Sequence, residues 1–101
     1  MKAADRKKIS NKLYPLTRVF YDQIPLDTIQ NILAEFDLVL LQEDNTEWSG
    51  FLCGRDSNTV FTLGRKSSIN DQGVYEQVKD CLYFSWYRHE TNRYEINMYL
   101  C

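Results

Sequence analysis

The C-terminal end of the chain carries the pattern that most restricts the fold. Residues 82–87 and 94–100 both alternate, with aliphatic or aromatic side chains at even positions and tyrosine or polar side chains at odd positions. This period of two is that of a β-strand with one face in a core and one face outside. Because paired residues must share a face, it restricts the register of a hairpin. A three-residue loop, Glu90–Asn92, satisfies that condition and places Asn92 where a left-handed residue is favoured. The expected pairs are Leu82 with Leu100, Phe84 with Met98, and Trp86 with Ile96.

Residues 25–36 show the period of an α-helix. Pro25 suits the start of this helix, and Asp27 suits its positive end. So short a helix is not stable alone in water, so its apolar stripe must pack against a sheet. The stripe is spaced by three and four residues and consists of Leu26, Ile29, Ile32, Leu33 and Phe36.

The remaining segments are shorter or more polar. A short helix is expected over residues 3–13, with Ile9 and Leu13 on one side and Pro15 at its end. The expected strands are 38–42, 48–55 and 59–63, with an extended segment at 16–21. The expected turns are 44–46 and 55–58, and the polar residues 65–75 are expected to form a loop. These segments predict one α+β domain over residues 1–101, in which one or two short N-terminal helices precede a five-stranded, strongly bent antiparallel sheet or small barrel.

The expected core draws on both the helix stripe and the even strand positions. It consists of Ile29, Leu33, Phe36, Leu40, Leu52, Phe61, Phe84, Trp86, Ile96 and Met98. No stretch approaches the run of about 20 apolar residues that a membrane helix needs. No apolar segment follows the basic first residues, as a secretory signal would require. The chain is therefore expected to act in the cytoplasm.

Residues 25–63 resemble the first motif of the Sm-like small barrels, a subset of the SH3-like barrels. Pro25 and Leu26 open a helix, an apolar strand follows, and Asp44–Leu52 leads into a strand with the Gly50-x-Leu52 pattern. The Asp and Asn that follow this strand in the family would be Asp56 and Asn58. The resemblance implies the barrel topology more than RNA binding, because the family's second motif supplies much of its RNA site. This chain departs from the family in having Asn45 for the turn glycine, a short Asp-to-Asn spacing and no second, Arg-Gly motif.

Charge is distributed unevenly along the chain. Residues 1–20 hold six basic side chains and one acid, whereas residues 21–101 hold six basic and thirteen acidic side chains. The basic N-terminal head offers a possible nucleic-acid contact through Lys2, Arg6, Lys7 and Lys8. The simpler alternative is that the head belongs to a loose, solvated segment over residues 1–15, in which case deleting residues 1–8 should leave the melting temperature and the partner affinity nearly unchanged. The acidic remainder argues against a large phosphate-binding surface.

Motifs for catalysis and metal binding are missing from the sequence. The single histidine, His89, flanks a predicted turn, and Cys53, Cys81 and Cys101 lack zinc-site spacing. No Gly-rich phosphate loop or nucleophile elbow occurs. We therefore expect no catalytic, cofactor or metal residue, although an enzyme stays an alternative because active sites can be assembled without sequence motifs.

The outward face of the last hairpin is the candidate binding surface. It comprises Tyr83, Ser85, Tyr87, Glu95, Asn97 and Tyr99. Tyrosine is favoured in protein interfaces because it combines a large contact area with a polar tip. The alternative is a second packed layer, in which residues 1–21 or 65–80 cover this face.

Three functions stay open at this point. The first is a non-enzymatic protein-binding module that contacts a host protein, as an inhibitor or accessory protein of phage or mobile-element type. Small acidic domains without catalytic motifs are typical of such proteins, including anti-CRISPR inhibitors, and an acidic body suits a basic groove made for nucleic acid. The alternatives are an Sm-like RNA-binding or ring-forming protein, and an enzyme.

The cysteines allow a first test. In the predicted register Cys81 lies opposite Cys101, close enough to bridge in principle. We nevertheless expect three free thiols, because the cytoplasm is reducing. Thiol counting on native, non-reduced protein should find three, and a count of one would show a disulfide.

Overall fold

The computed structural model describes residues 1–41, 57–89, 91 and 93–101. It is an α+β fold in which two N-terminal helices accompany a five-stranded, strongly curled antiparallel sheet, a half-barrel, which confirms the predicted class. The elements in chain order are α1 (Ala3–Leu13), a 3-10 turn (Tyr14–Leu16), β1 (Phe20–Tyr21), α2 (Leu26–Ala34), β2 (Leu38–Leu40), β3 (Ser57–Ile69), β4 (Tyr75–Arg88) and β5 (Tyr94–Leu100). Among the helices in these ranges, none is long and apolar enough to span a membrane.

The sheet is built around the hairpin that the alternation predicted. Its strand order is β1-β5-β4-β3-β2, with every neighbour antiparallel. Trp86 lies opposite Ile96, and the other two predicted pairs are also found. The His89 backbone N–H donates to the Arg93 carbonyl at 2.8 Å and closes the loop. Glu90 and Asn92 lie outside the described residues, so the left-handed conformation of Asn92 stays a prediction.

The predicted loop over residues 65–75 is wrong. β3 continues to Ile69, and β4 begins at Tyr75. The turn between them is organised by the Asn70 side chain, which accepts hydrogen bonds from the N–H groups of Gln72 and Val74 at 2.9 Å each. Gly73 supplies a positive φ of 78°. Most of the side chains in this part of the hairpin are exposed, so neither face needed the apolar alternation by which a strand is recognised.

Three other predicted segments need correction or lie outside the described residues. The extended segment at 16–21 contains a strand only at Phe20–Tyr21, since Arg18 has a φ of 59° and turns the chain. The predicted turn at 55–58 is wrong at Ser57 and Asn58, which pair with β4 as part of β3. The turn at 44–46 and the strand at 48–55 lie outside the described residues, and so do Leu52, Cys53 and the Asp44–Leu52 and Asp56 positions of the Sm-like motif.

The core lies between the helices and one face of the sheet. Ile9 and Leu13 of α1 and Ile29 and Leu33 of α2 are fully buried or nearly so. They join one cluster with the even positions of the hairpin, where the Phe61 and Phe84 rings meet edge to face at 5.5 Å. The predicted core is confirmed for its described members, except that Phe36 is only partly buried.

The N-terminal segment is a packed helix, which replaces the expectation of a loose segment over residues 1–15. The reason is Asp80, whose side chain points to the inner face of β4 and is only 12% exposed. A buried carboxylate needs positive partners. The Arg6 guanidinium forms an ion pair with Asp80, and the Met1 amino group lies 3.2 Å from its second oxygen. Burial of Ile9 and Leu13 then holds the rest of α1 in place.

Truncating Trp86 should test the core. Its side chain is 4% exposed, so Trp86→Ala should lower the free energy of unfolding by about 3–5 kcal/mol. Urea denaturation followed by circular dichroism measures this loss. The control Tyr14→Ala removes an aromatic side chain that is 75% exposed and should change stability by no more than about 0.5 kcal/mol. Equal effects of the two changes would contradict the assigned core.

The Arg6–Asp80 ion pair predicts which basic residues matter for folding. Arg6→Ala should cost about 1.5–3 kcal/mol, because it removes a charged partner from a buried carboxylate. Lys7→Ala and Lys8→Ala remove the same charge from exposed sites on the same helix and should be nearly neutral. Thermal melts of the three variants make the comparison, and three equal melting temperatures would show that the ion pair does not stabilise the fold.

Candidate protein-binding surface

The sheet face opposite the helices carries a row of three side chains across three strands. Val60 of β3, Tyr83 of β4 and Tyr99 of β5 are register partners. Val60 is 40% exposed and Tyr99 is 54% exposed, while Tyr83 is half-buried between them. The two tyrosine rings lie 4.8 Å apart with a 31° tilt. The row is therefore a preformed apolar and aromatic strip on a rigid sheet.

A polar row and a second aromatic group continue this surface toward the β4–β5 loop. Ser85 pairs with Asn97, and both are half-buried. The next row holds Tyr87, Glu95 and Phe20, the last contributed by β1. We call these residues, with Val60, Tyr83 and Tyr99, the outer face. The structure brings all six predicted interface residues onto it and adds Val60 and Phe20.

His89 joins the aromatic end of the outer face. Its ring lies 4.7 Å from that of Tyr87 and meets the Phe20 ring edge-on at 4.4 Å. The Nε2 atom of His89 is buried and has no hydrogen-bond partner. The imidazole is therefore the third ring of an aromatic cluster.

Two large parts of the segments proposed as a cover for the outer face, α1 and residues 65–80, lie elsewhere. α1 directs Ile9 and Leu13 into the core on the opposite face of the sheet. Residues 65–80 continue the β3–β4 ladder and do not fold back across it. In the described part of the chain, neither α1 nor residues 65–80 cover the outer face, whereas Tyr14, Thr17 and Arg18 lie beside Asn97 and Tyr99 at one edge of it.

A groove opens where the outer face meets the edge of β5. Its volume is about 290 Å³, and it lies between Leu13–Arg18 and the strand residues Asn97, Met98 and Tyr99. Tyr14 forms an exposed wall opposite Tyr99. No sequence pattern indicated Tyr14, Thr17 or Arg18 as site residues. They belong to or follow a 3-10 turn, which has no periodicity that would mark it, and the strand beside which this turn lies is some 80 residues away in the chain. The Tyr14-Pro15 pair at the end of a helix was the available signal, and it shows only where the helix ends.

β1 is anchored to this region by Tyr21. The Tyr21 hydroxyl donates to the Leu16 carbonyl at 2.9 Å, and burial raises the pKa of the phenol. Arg93 reaches β1 from the other side, with its guanidinium 3.3 Å from Asp22. These contacts hold the turn at Arg18 beside β5, and thereby define one side of the groove.

The four basic residues proposed to contact nucleic acid do not form one group. Arg6 is held by Asp80, whereas Lys2, Lys7 and Lys8 have exposed side chains on or next to α1. In the described part of the chain, no cluster of three or more His, Cys, Asp or Glu could hold a metal ion. On the outer face, Cys81 and Cys101 exchange backbone hydrogen bonds of 3.0 and 3.4 Å as register neighbours, and their thiols are not joined. The thiol count stays a prediction.

Comparison with known proteins yields no match at the level of family, sequence or structure: no family model fits the chain, no curated protein resembles its sequence, and no solved structure resembles its fold. Evidence for the function of this chain therefore comes from the chemistry of its own surface. Two features of that surface are the aromatic sheet face and the groove at its edge.

Proposed function

We propose that the chain is a non-enzymatic protein-binding module and that the outer face is part of its interface. The observation that carries the proposal is the row of Val60, Tyr83 and Tyr99, which places apolar and aromatic side chains, two of them well exposed, on the sheet face opposite the helices. Apolar surface gathered in one patch is a mark of interaction sites, whereas scattered exposed apolar residues are not. Tyrosines in such a patch are the usual anchors of a protein interface.

The composition of the outer face favours a protein partner over a nucleic acid. Glu95 is the one charged residue among those that define the face, and it is acidic, so it would repel phosphate. Ser85 and Asn97 offer hydroxyl and amide groups that hydrogen-bond to peptide or side chain alike. Since the strands already hold these side chains in place, binding loses little additional conformational entropy.

The proposal extends to the role of the module. A net charge of −2 in a chain of 101 residues suits a direct-contact inhibitor or accessory protein, of the phage or mobile-element type, that acts in the cytoplasm on a host protein with a basic surface. Complementary charge would speed association and select the partner, while the tyrosine row would supply most of the affinity.

Site-specific photo-crosslinking would find the partner and test the surface together. A photoreactive phenylalanine at position 99 is compared in host lysate with the same residue at position 74, since Val74 is 58% exposed at the tip of the β3–β4 hairpin. A protein crosslinked from position 99 and not from position 74 is then purified for titration. Tyr99→Ala and Tyr83→Ala should each weaken its binding by about thirtyfold, which corresponds to about 2 kcal/mol.

The controls separate an interface from a packed layer. Val74→Ala and Glu95→Ala should leave the fold intact, and Val74→Ala should also leave affinity unchanged. If Tyr83→Ala and Tyr99→Ala unfold the chain while Glu95→Ala stays folded, the outer face is a packed layer and the proposal is wrong. A single-stranded RNA titrated at several salt concentrations addresses the Sm-like alternative, for which affinity should fall steeply with salt.

A further inference from the structure

The hydrogen bonds of β5 show which of its backbone groups face outward from the sheet. Cys81 and Cys101 exchange both of their backbone hydrogen bonds. In an antiparallel pair such residues alternate with pairs that make no bond to each other. Tyr99 and Asn97 therefore also bond to β4, whereas the N–H and C=O groups of Met98 and Leu100 point away from β4 toward the far edge.

That far edge is only partly covered. Tyr21 of β1 pairs with Tyr94, and the Arg18 N–H donates to the Ile96 carbonyl at 2.8 Å. The positive φ of Arg18 then turns the chain out of the sheet. Arg18 is the last residue in the described ranges to bond to this edge. The backbone groups of Met98 come next, and they lie at the groove between Tyr14 and Tyr99.

The groove and the β5 edge together provide the hydrogen-bonding groups and the side-chain contacts that an extended peptide requires. Each outward-facing strand residue presents one donor and one acceptor to a neighbouring strand about 4.8 Å away. The part of β5 that lines the groove, Asn97–Tyr99, matches roughly 10 Å of added strand. Tyr14 and Tyr99 can hold a side chain between them, and Arg18 is the charged residue among those that line the groove.

We propose that the β5 edge binds an extended peptide segment of a partner protein, with an acidic side chain directed to Arg18. The segment lies antiparallel to β5, extends the line of β1 and exchanges hydrogen bonds with Met98. Strand addition of this kind takes its affinity from backbone bonds and its selectivity from side-chain pockets. The inference deepens the proposed function and rests on it, because Tyr99 belongs to both surfaces; Met98 and Arg18 belong to the groove alone.

The test uses the full ¹⁵N-labelled chain and a blocked pentapeptide, Thr-Val-Asp-Val-Thr. Titration with the peptide should shift the NMR signals of the Met98 and Leu100 amides until they saturate. At saturation, hydrogen exchange of the Met98 amide should be slowed at least tenfold. A peptide of identical side chains, N-methylated at those alternate residues whose N–H groups face β5, cannot complete the ladder and should bind at least tenfold more weakly. Equal affinity for the two peptides would overturn strand addition.

Arg18→Asn tests the charge preference. Asn tolerates the left-handed conformation found at position 18, so this change removes the guanidinium without adding strain. The variant should lose most of the preference for the Asp peptide over Thr-Val-Lys-Val-Thr. If it keeps that preference, the assignment of Arg18 to an acidic side chain is wrong.

Two further outcomes separate this inference from the proposed function. Tyr83→Ala alters the outer face and not the groove, so it should weaken binding of the crosslinked partner while leaving pentapeptide affinity unchanged. Pentapeptide-induced shifts confined to Tyr83 and Ser85, with Met98 unmoved, would overturn the edge site and leave the outer face standing. Sedimentation that shows a dimer with a protected Met98 amide in the absence of peptide would overturn it also, since a second copy would then fill the edge.

Discussion

The pairing of Trp86 with Ile96 is the constraint on which the rest of the structure depends. It places the even side chains of Leu82–Trp86 and of β5 in the core and the odd side chains between them on the outer face. The same register decides which backbone groups of β5 bond to β4 and which point to the far edge. A shift of one residue would pair Trp86 with a polar position of β5, so that one of the two strands would turn its core side chains to solvent and its outer side chains inward. Core packing thus determines both surfaces proposed to bind a partner.

In the described ranges, the helices cover one side of this sheet, and neither helix covers the other. Asp80, on the inner side of β4, draws Arg6 and the first turn of α1 to the sheet. Ile9 and Leu13 then complete the core from the helix side. Since α1 ends beside β5, the Tyr14–Leu16 turn comes to lie against the strand edge and forms the groove. One buried charge therefore influences a binding surface formed by other residues.

The outer face and the β5 edge differ in how they would recognise a partner. The outer face offers side chains, with an aromatic row at each end and Ser85 and Asn97 between, and suits a folded surface. The edge offers backbone groups and suits an extended segment. Tyr99 borders both, so one partner could present a folded surface to the face and a strand to the edge. Exposed strand edges are commonly protected in proteins. A strand edge that lies beside an aromatic groove is therefore informative about where a partner binds.

Periodicity in the sequence was sufficient for elements with one buried face. The alternation over residues 82–100 predicted the β4–β5 register, and the stripe from Leu26 to Phe36 predicted α2, because burial imposes a period on one side of each element. The six residues of the predicted interface followed from the same alternation, as the positions left over after the core was assigned. The length of the β3–β4 hairpin did not follow, since its outer part is exposed on both faces and solvent imposes no period.

What only the tertiary structure decided are the contacts between residues far apart in the chain. Arg6 and Asp80 are separated by 74 positions, and neither residue type indicates its partner. The groove lies between a 3-10 turn near residue 15 and a strand near residue 98. It depends on a positive φ at Arg18, a position where the sequence has neither the glycine nor the asparagine that would predict one. The sequence by itself determined which side chains must leave water. Which elements then met, and which strand edge stayed open, depended on how two helices and five strands could share one core.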